Sequence, residues 1–304
     1  MKWIKKGLIF KPPSNLGWMK THAAVPLAEM RRANLTRIYF SGRDTQHRSQ
    51  TGFIEVDIHR PQSILAITQN PVLQLGRPGT FDDSGTMASW IVHYQGKEFL
   101  YYIGWNKSVT VPFRNSIGLA ISTDEGRTFS KFSEGPLIDR DRTDPYFVAS
   151  LCILIDEGIW KMWYLSCLEW ELKGAIPKHR YHIKYAESHD GIEWRKTGVV
   201  CIDFKGNDEY AISRPCVLKE HGIYKMWYSY RGTSYRIGYA ESKDGLHWER
   251  KDDEVGIDVS DKGWDSEMIE YPFVFDHTGE RYMLYNGNGY GESGIGLARM
   301  AKDR

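Results

Sequence analysis

IYKMWYSYRG, residues 223–232, has the make-up of a single β-strand: aromatic and β-branched residues over a strand's length, closed by a glycine. Working outward from it, related runs recur as IWKMWYLS (159–166), KEFLYYIG (97–104), TRIYFSG (36–42) and ERYMLYNG (280–287). With Tyr39, Tyr101, Trp163, Trp227 and Leu284 taken as equivalents, the steps between copies are 62, 62, 64 and 57 residues. Five such units span the 304 residues, so residues 1–304 read as a single domain with no room for another.

Each unit divides into four short apolar runs separated by Gly, Asp or Asn, with almost no helical periodicity. The turns STDEGRTF (122–129), SHDGIEW (188–194) and SKDGLHW (242–248) are near copies of one another. Each offers a Ser and an Asp to bond turn amides and a Gly for a left-handed backbone. Their acids Asp124, Asp190 and Asp244 therefore read as structural. Repeated four-stranded sheets leave apolar faces that only neighbouring sheets can cover, which predicts an all-β, five-bladed β-propeller of four-stranded antiparallel blades. The fifth unit runs out after three strands. The opening WIKKGLIF (3–10) matches the fourth-strand pattern WRKTGVVC (194–201), so the N-terminal strand is expected to close the last blade.

Lys and Arg total 40 against 39 Asp and Glu, a net charge of +1, which gives no global field for nucleic acid or an anionic membrane. No apolar run is long enough for a membrane span, and MKWIKKGLIFKPP lacks the apolar stretch of a secretory signal, so a cytoplasmic location is expected. Cys152, Cys167, Cys201 and Cys216 lie in strand-like segments without metal-site spacing and read as buried thiols. Nothing in the sequence calls for a metal or another cofactor. Aromatic residues make up 13%, including 11 Trp and 18 Tyr, which serves packing between blades and also sugar stacking.

In an antiparallel blade the start of the first strand and the end of the second emerge on one face. Polar residues at those points should share a funnel at the axis. The first-strand starts give Lys20 and His22, Asp82 and Asp83, Asp141 and Asp144, Glu209, Ser213 and Arg214, and Glu267 and Glu270. The second-strand ends add Arg43, Asp44, Trp105, Asn106, Lys107, Glu169, Trp170, Arg231, Asn286, Asn288, Tyr290 and Glu292. Such a mixture of acids, cations and aromatics suits a carbohydrate ligand. The insert SCLEWELKGAIPKHR (166–180) enters at the same face and is expected to influence substrate choice.

NPVLQLGRPGTFDDSGTMASWIV (70–92) and MLYNGNGYGESGIGLA (283–298) resemble passages of the glycoside hydrolase family 130 β-mannoside phosphorylases and hydrolases, relatives of families 43, 32 and 62. The resemblance implies cleavage of a small glycoside, such as a β-mannoside, by an inverting acid/base mechanism. Asp83 would be the proton donor, Glu270 the base or the charge that raises the donor's pKa, and Asp144 a group orienting a substrate hydroxyl. Glu292 would bond sugar hydroxyls. His22, Arg43, Asp82, Trp105, Asn106, Lys107, Arg214, Arg231, Glu267, Asn288 and Tyr290 complete the expected substrate site. Inorganic phosphate is the co-substrate if it replaces water, with Arg43 and Arg214 as its clamps. The resembled families also commonly assemble as homo-oligomers. Two departures stand out. The first inner strand, KTHAAVPLA, carries no acid, unlike families 43 and 32, and Asp83 is followed by Ser84 and Gly85 where family 130 has Pro and Arg. They support a second reading, a propeller that binds sugar without cleaving it.

Overall fold

The computed structural model describes residues 1–172 and 177–302, and its only helix there is a 3-10 turn at Asp252–Glu254. In chain order the strands are β1 (Trp3–Phe10), β2 (Thr21–Arg32), β3 (Leu35–Arg43), β4 (Ser49–Asp57) and β5 (Arg60–Ile67). Next come β6 (Gly85–Tyr94), β7 (Lys97–Lys107), β8 (Phe113–Ser122) and β9 (Ser130–Lys131), then β10 (Val148–Asp156), β11 (Ile159–Glu171), β12 (Lys178–Ser188) and β13 (Trp194–Ile202). The chain continues through β14 (Ala211–Glu220), β15 (Ile223–Arg231), β16 (Tyr235–Ser242) and β17 (Glu249–Arg250) to β18 (Glu270–His277), β19 (Glu280–Asn286) and β20 (Ile295–Met300).

Pairing follows the repeat. Strands β2 to β5, β6 to β9, β10 to β13 and β14 to β17 each form an antiparallel group in sequence order. Single parallel pairs, Ser49 with Gly85 and Tyr181 with Ala211, join these groups two by two. The last group is completed from the other end of the chain, as β1 pairs antiparallel with β20, Trp3 opposite Met300 and Phe10 opposite Ile295. Strand β17 stops at Arg250, and the Asp252 carboxylate just beyond it turns inward to accept from the Tyr228 hydroxyl at 2.5 Å and the Tyr239 amide at 3.2 Å.

The first strands of the groups touch in a cycle: β2 meets β6, β6 meets β10, β10 meets β14, β14 meets β18, and β18 returns to β2. Each breaks its ladder at a bulge: Ala24 to Leu27, Ala88 to Trp90, Val148 to Leu151, Ser213 to Cys216, and Glu270 to Phe273. An amide at or beside each bulge is caught by a side chain of the preceding group. Thr51 Oγ1 accepts from Ala88 at 2.9 Å, Ser89 Oγ from Leu151 at 2.9 Å, and Ser150 Oγ from Arg214 at 3.0 Å. Ser229 Oγ accepts from Tyr271 at 2.7 Å, and Asn286 Oδ1 returns to the start by accepting from Val25 at 2.9 Å. Buried backbone donors are thereby satisfied between groups, which fixes how the groups are set against one another.

Two further devices explain the recurring residues. The equivalents Tyr39, Tyr101 and Trp163 donate to the carbonyls of Gly126, Gly191 and Gly245, at 2.8, 2.8 and 2.7 Å, in the turns of the following group. Those turns need glycine: φ at Gly191 is 76°, and a Cβ there would lie 2.7 Å from the Trp160 ring. Asp82, Asp144 and Asp265 each accept from a tyrosine 20 positions later, Tyr102, Tyr164 and Tyr285, at 2.9, 2.9 and 3.1 Å. Each also pairs with a lysine of the outermost strand: Lys131 at 2.5 Å, Lys196 at 3.0 Å and Lys5 at 2.7 Å. Lys5 of β1 thus occupies the place in the last group that Lys196 of β13 holds in the third. The four cysteines are buried and unpaired with one another.

Candidate functional site

The bulged first strands and the ends of the second strands enclose a cavity of ≈ 300 Å³, at the lower end of the ~300–1,000 Å³ usual for small-molecule sites. Its wall takes Ala24 and Val25 from β2, Met87 from β6, Ala149 and Ser150 from β10, Ser213 and Arg214 from β14, and Tyr271 from β18. Arg43, Ile103, Trp105, Leu165 and Arg231 come from the second strands, and Phe113, Asn115, Phe147, His179, Tyr181, Tyr235 and Tyr290 complete it. Val25, Arg214 and Tyr271 are held at φ of 54°, 52° and 55°, a left-handed backbone that costs roughly 1–3 kcal/mol at a non-glycine residue and gathers at functional sites. A larger hollow of ≈ 560 Å³ near Met1 and Glu280 is lined largely by ion-paired side chains, Arg281 with Asp276 and Lys225 with Glu220 among them.

Arg214 is fully buried and has no carboxylate partner. Its Nη1 and Nη2 donate to the carbonyls of Ser89 at 2.5 Å and Pro26 at 3.0 Å, and burial lowers its pKa to about 10. Those bonds span three first strands and engage two of its five donors, so the guanidinium acts as a strap, not as the mobile phosphate clamp expected from the sequence. Arg231 lies among the rings of Tyr210, Tyr235 and Tyr290, with centroids 5.4, 5.3 and 5.5 Å away, and donates to the Tyr290 hydroxyl at 2.6 Å. Arg43 stands at the end of β3 on the cavity wall.

Glu270, the first residue of β18, is 0% exposed, and neither carboxyl oxygen has a hydrogen-bond partner among the described residues. Burial drives its pKa well above the ordinary carboxylate range, opposed by the positive charges of Arg231 and Arg43. It therefore holds its proton. It does not itself line the cavity but sits beside it, close to Tyr181, Tyr235 and Tyr271, all on the wall. Among the described residues Glu270 makes no ion pair with Arg214.

Unpartnered buried atoms converge on this cavity. Trp105 Nε1, Asn115 Oδ1, Ser213 Oγ, Arg214 Nε and Arg231 Nε all belong to its wall. Orphaned donors and acceptors are rare in folded proteins and mark a place where a polar ligand completes the bonding. His179, which the sequence did not single out, also lines the cavity. Burial and the neighbouring Arg231 charge lower its pKa to about 4, and its ring stacks on Tyr181 at 4.8 Å and 8°. It lies in the 166–180 insert; the tip of that insert, 173–176, lies outside the described residues.

The expected site residues are divided by the structure. His22, Arg43, Trp105, Arg214, Arg231, Glu270 and Tyr290 are in or beside the cavity. His22 is kept neutral, its pKa lowered to about 4 by burial and by the charges of Arg43 and His47. Asp83 is not on the wall. Its carboxylate accepts from the Gly79 amide at 2.9 Å, the Ser84 hydroxyl at 2.8 Å and Asn106 Nδ2 at 3.1 Å. Burial works against the charge there, but these bonds and Lys107 outweigh it and lower the pKa. An acid held ionised has no proton to give, which corrects the donor role expected for Asp83 and accounts for Asn106.

Asp82 and Asp144 are fully buried pins within their groups. Asp144 accepts from Ser166 at 2.5 Å and pairs with Lys184 at 3.1 Å, and those partners lower its pKa in spite of burial. Neither acid has a face left for a sugar. Asn288 braces its loop, accepting from the amides of Glu267 and Met268 at 2.9 and 3.2 Å and donating to Gly263 O at 3.1 Å. Glu267 and Glu292 are exposed and off the wall, as is Lys107. Among the described residues, no carboxylate lines the cavity.

The strand arrangement has parallels among known structures. A solved glycoside hydrolase superimposes with a TM-score of 0.76 at 17% identity, over 98% of this chain and 92% of that one. A thermostable family-43 glycoside hydrolase gives 0.68 at 18% identity, over 97% and 94%. At such identities the likeness is one of fold, an all-β, propeller-like architecture. Among the described residues no helix is long and apolar enough to cross a membrane. No family model matches the sequence. Two proteins of Mycobacterium tuberculosis, uncharacterized protein MT1551 of strain CDC 1551 / Oshkosh and uncharacterized protein Rv1502 of strain ATCC 25618 / H37Rv, are each 46% identical over 299 residues, covering 98% of this chain and 99% of theirs. This chain belongs to the family of MT1551 and Rv1502.

Proposed function

We propose that the strand groups are the blades of a five-bladed β-propeller closed by β1, and that its cavity cleaves a glycoside with phosphate as the attacking group. The observation that carries this reading is a fully buried Glu270 without a hydrogen-bond partner among the described residues, in surroundings that favour its protonated form, beside two guanidinium groups on the cavity wall. The glycoside hydrolase folds described above support a carbohydrate as the ligand. Hydrolysis by the usual inverting route needs a second carboxylate to activate water, and the wall supplies none. Phosphate needs no such base, since it arrives as an anion, and guanidinium forks match its oxygens.

In the proposed step the glycosidic C–O bond breaks as Glu270 gives its proton to the leaving oxygen. A phosphate oxygen, held by Arg43 and Arg231, bonds the anomeric carbon from the opposite face. The products are a sugar 1-phosphate of inverted configuration and the free aglycone, and the Glu270 carboxylate regains a proton from solvent. The step requires Glu270, which does not line the cavity, to come within hydrogen-bond reach of the leaving oxygen.

The test is a panel of aryl and natural glycosides incubated with and without inorganic phosphate, scored for sugar 1-phosphate. Phosphate-dependent release abolished in Glu270→Gln is the expected result. Release that is independent of phosphate, or unchanged in Glu270→Gln, overturns the reading. A second reading, binding without cleavage, is favoured by the position of Glu270 one layer behind the wall. It is established if sugars bind and none is cleaved under either condition.

A further inference from the structure

We infer that the sugar held in this cavity carries an apolar substituent, a deoxy carbon or an O-methyl cap, on the edge facing strands β6 to β11. The inference rests on the reading of the cavity as a carbohydrate site and adds the class of sugar.

The wall is divided by chemistry. Met87 on β6, Ile103 on β7, Leu165 on β11, and Phe147 with Ala149 at the start of β10 form its apolar side, drawn from two neighbouring strand groups. All of them are buried, and none has a side-chain donor or any acceptor stronger than the weak thioether of Met87. The charged members of the wall, Arg43, Arg231 and Arg214, come instead from β3, β15 and β14. On the apolar side the polar atoms left without a partner are Trp105 Nε1 and Asn115 Oδ1, one donor and one acceptor.

A sugar whose every carbon bears a hydroxyl must press several of them against this wall. Beyond the one that Trp105 Nε1 and Asn115 Oδ1 can meet, each such hydroxyl leaves water and faces side chains with no strong hydrogen-bonding group, a loss that lowers affinity. A methyl group in the same place gains by leaving water and fills space between Met87, Ile103 and Leu165. Discrimination of this kind works against the hydroxylated sugar through the unmet hydroxyl as well as in favour of the capped one through contact.

The experiment is calorimetric titration of the full-length protein with methyl glycosides in matched pairs: fucosides against galactosides, rhamnosides against mannosides, and 3-O-methyl glucosides against glucosides, both anomers of each. The deoxy or O-methyl member of at least one pair is expected to bind at least tenfold more tightly. Met87→Gln, which keeps the length of the side chain and adds an amide to the wall, should reduce that ratio to twofold or less with an unchanged melting temperature. Leu165→Asn serves as a second variant should the first fail to fold. Equal or tighter binding of the hydroxylated member in every pair overturns the inference, and so does a ratio that survives both substitutions. Phosphate-dependent cleavage without any preference for the capped sugar sinks this inference alone. A tenfold preference with no cleavage under either condition sinks the phosphorolysis reading alone, and no binding of any sugar sinks both.

Discussion

Glu270 is kept neutral by its surroundings, and that has a consequence for stability that can be measured apart from any activity. Its folded pKa is raised above the 4.5 of an ordinary glutamate, so the electrostatic cost of burying it is absent below that pH, where folded and unfolded forms both hold the proton. As pH rises, the unfolded chain ionises first and gains relative to the native state until the native pKa is passed. The melting temperature of the protein should therefore fall as pH rises above about 4.5, relative to that of Glu270→Gln, whose amide does not titrate. Parallel melting curves for the two proteins above that pH would show that Glu270 is not a buried neutral acid. Asp144 behaves oppositely. Removing it by Asp144→Ala leaves the ammonium group of Lys184, whose side chain is 10% exposed, without its carboxylate, while Lys196 keeps Asp141 at 2.8 Å. A loss of about 3–5 kcal/mol in denaturant unfolding is expected, as for other broken buried ion pairs. A variant of unaltered stability would return Asp144 to the list of substrate-binding groups.

Strands were more legible than the charges they carry. The match of WIKKGLIF with WRKTGVVC extends to chemistry: Lys5 and Lys196 each hold an aspartate, and Gly7 and Gly198 both have left-handed φ, 87° and 77°. Strand periodicity and turn residues are local, so they can be read along the chain. Whether an acid is pinned or free depends on partners far away in sequence. Asp83 and Glu270 looked alike as acids at first-strand starts, yet one is surrounded by donors and the other by tyrosines and apolar residues. His179 was missed because it lies in an irregular insert, where no repeat marks which side chains turn inward. At this scale, deletion of residues 1–10 should remove β1 with its Trp3 packing and the Lys5–Asp265 pair, and the truncated protein should lose cooperative unfolding in a thermal melt. A truncation that melts like the parent would refute the contribution of β1.

Across the whole molecule, cohesion depends on hydrogen bonds that pass from each strand group to the next. Asn286 accepts from Val25 and donates to the carbonyl of Ala23 at 2.7 Å in the next group, and donates to that of Gly294 at 2.8 Å in its own. Asn286→Ala leaves these buried groups unmet, at roughly 1–3 kcal/mol each, and should destabilise the protein more than Ser150→Ala, which orphans only the Arg214 amide. Equal midpoints of urea unfolding for the two variants would contradict this. The aromatic latches running from Tyr39, Tyr101 and Trp163 to the next group's turn have no counterpart at Trp227, whose Nε1 is buried without a partner. There the indole of Trp3 meets it edge-on, with centroids 6.3 Å apart. The fifth equivalent, Leu284, has no side-chain donor either, so the circle opens preferentially at its two unlatched joints, and amides bordering Trp227 should exchange with heavy water sooner than their counterparts around Tyr101. Nature has put a reporter at the Trp227 joint: indole emission there would shift toward the red at the first parting of the circle, ahead of general unfolding.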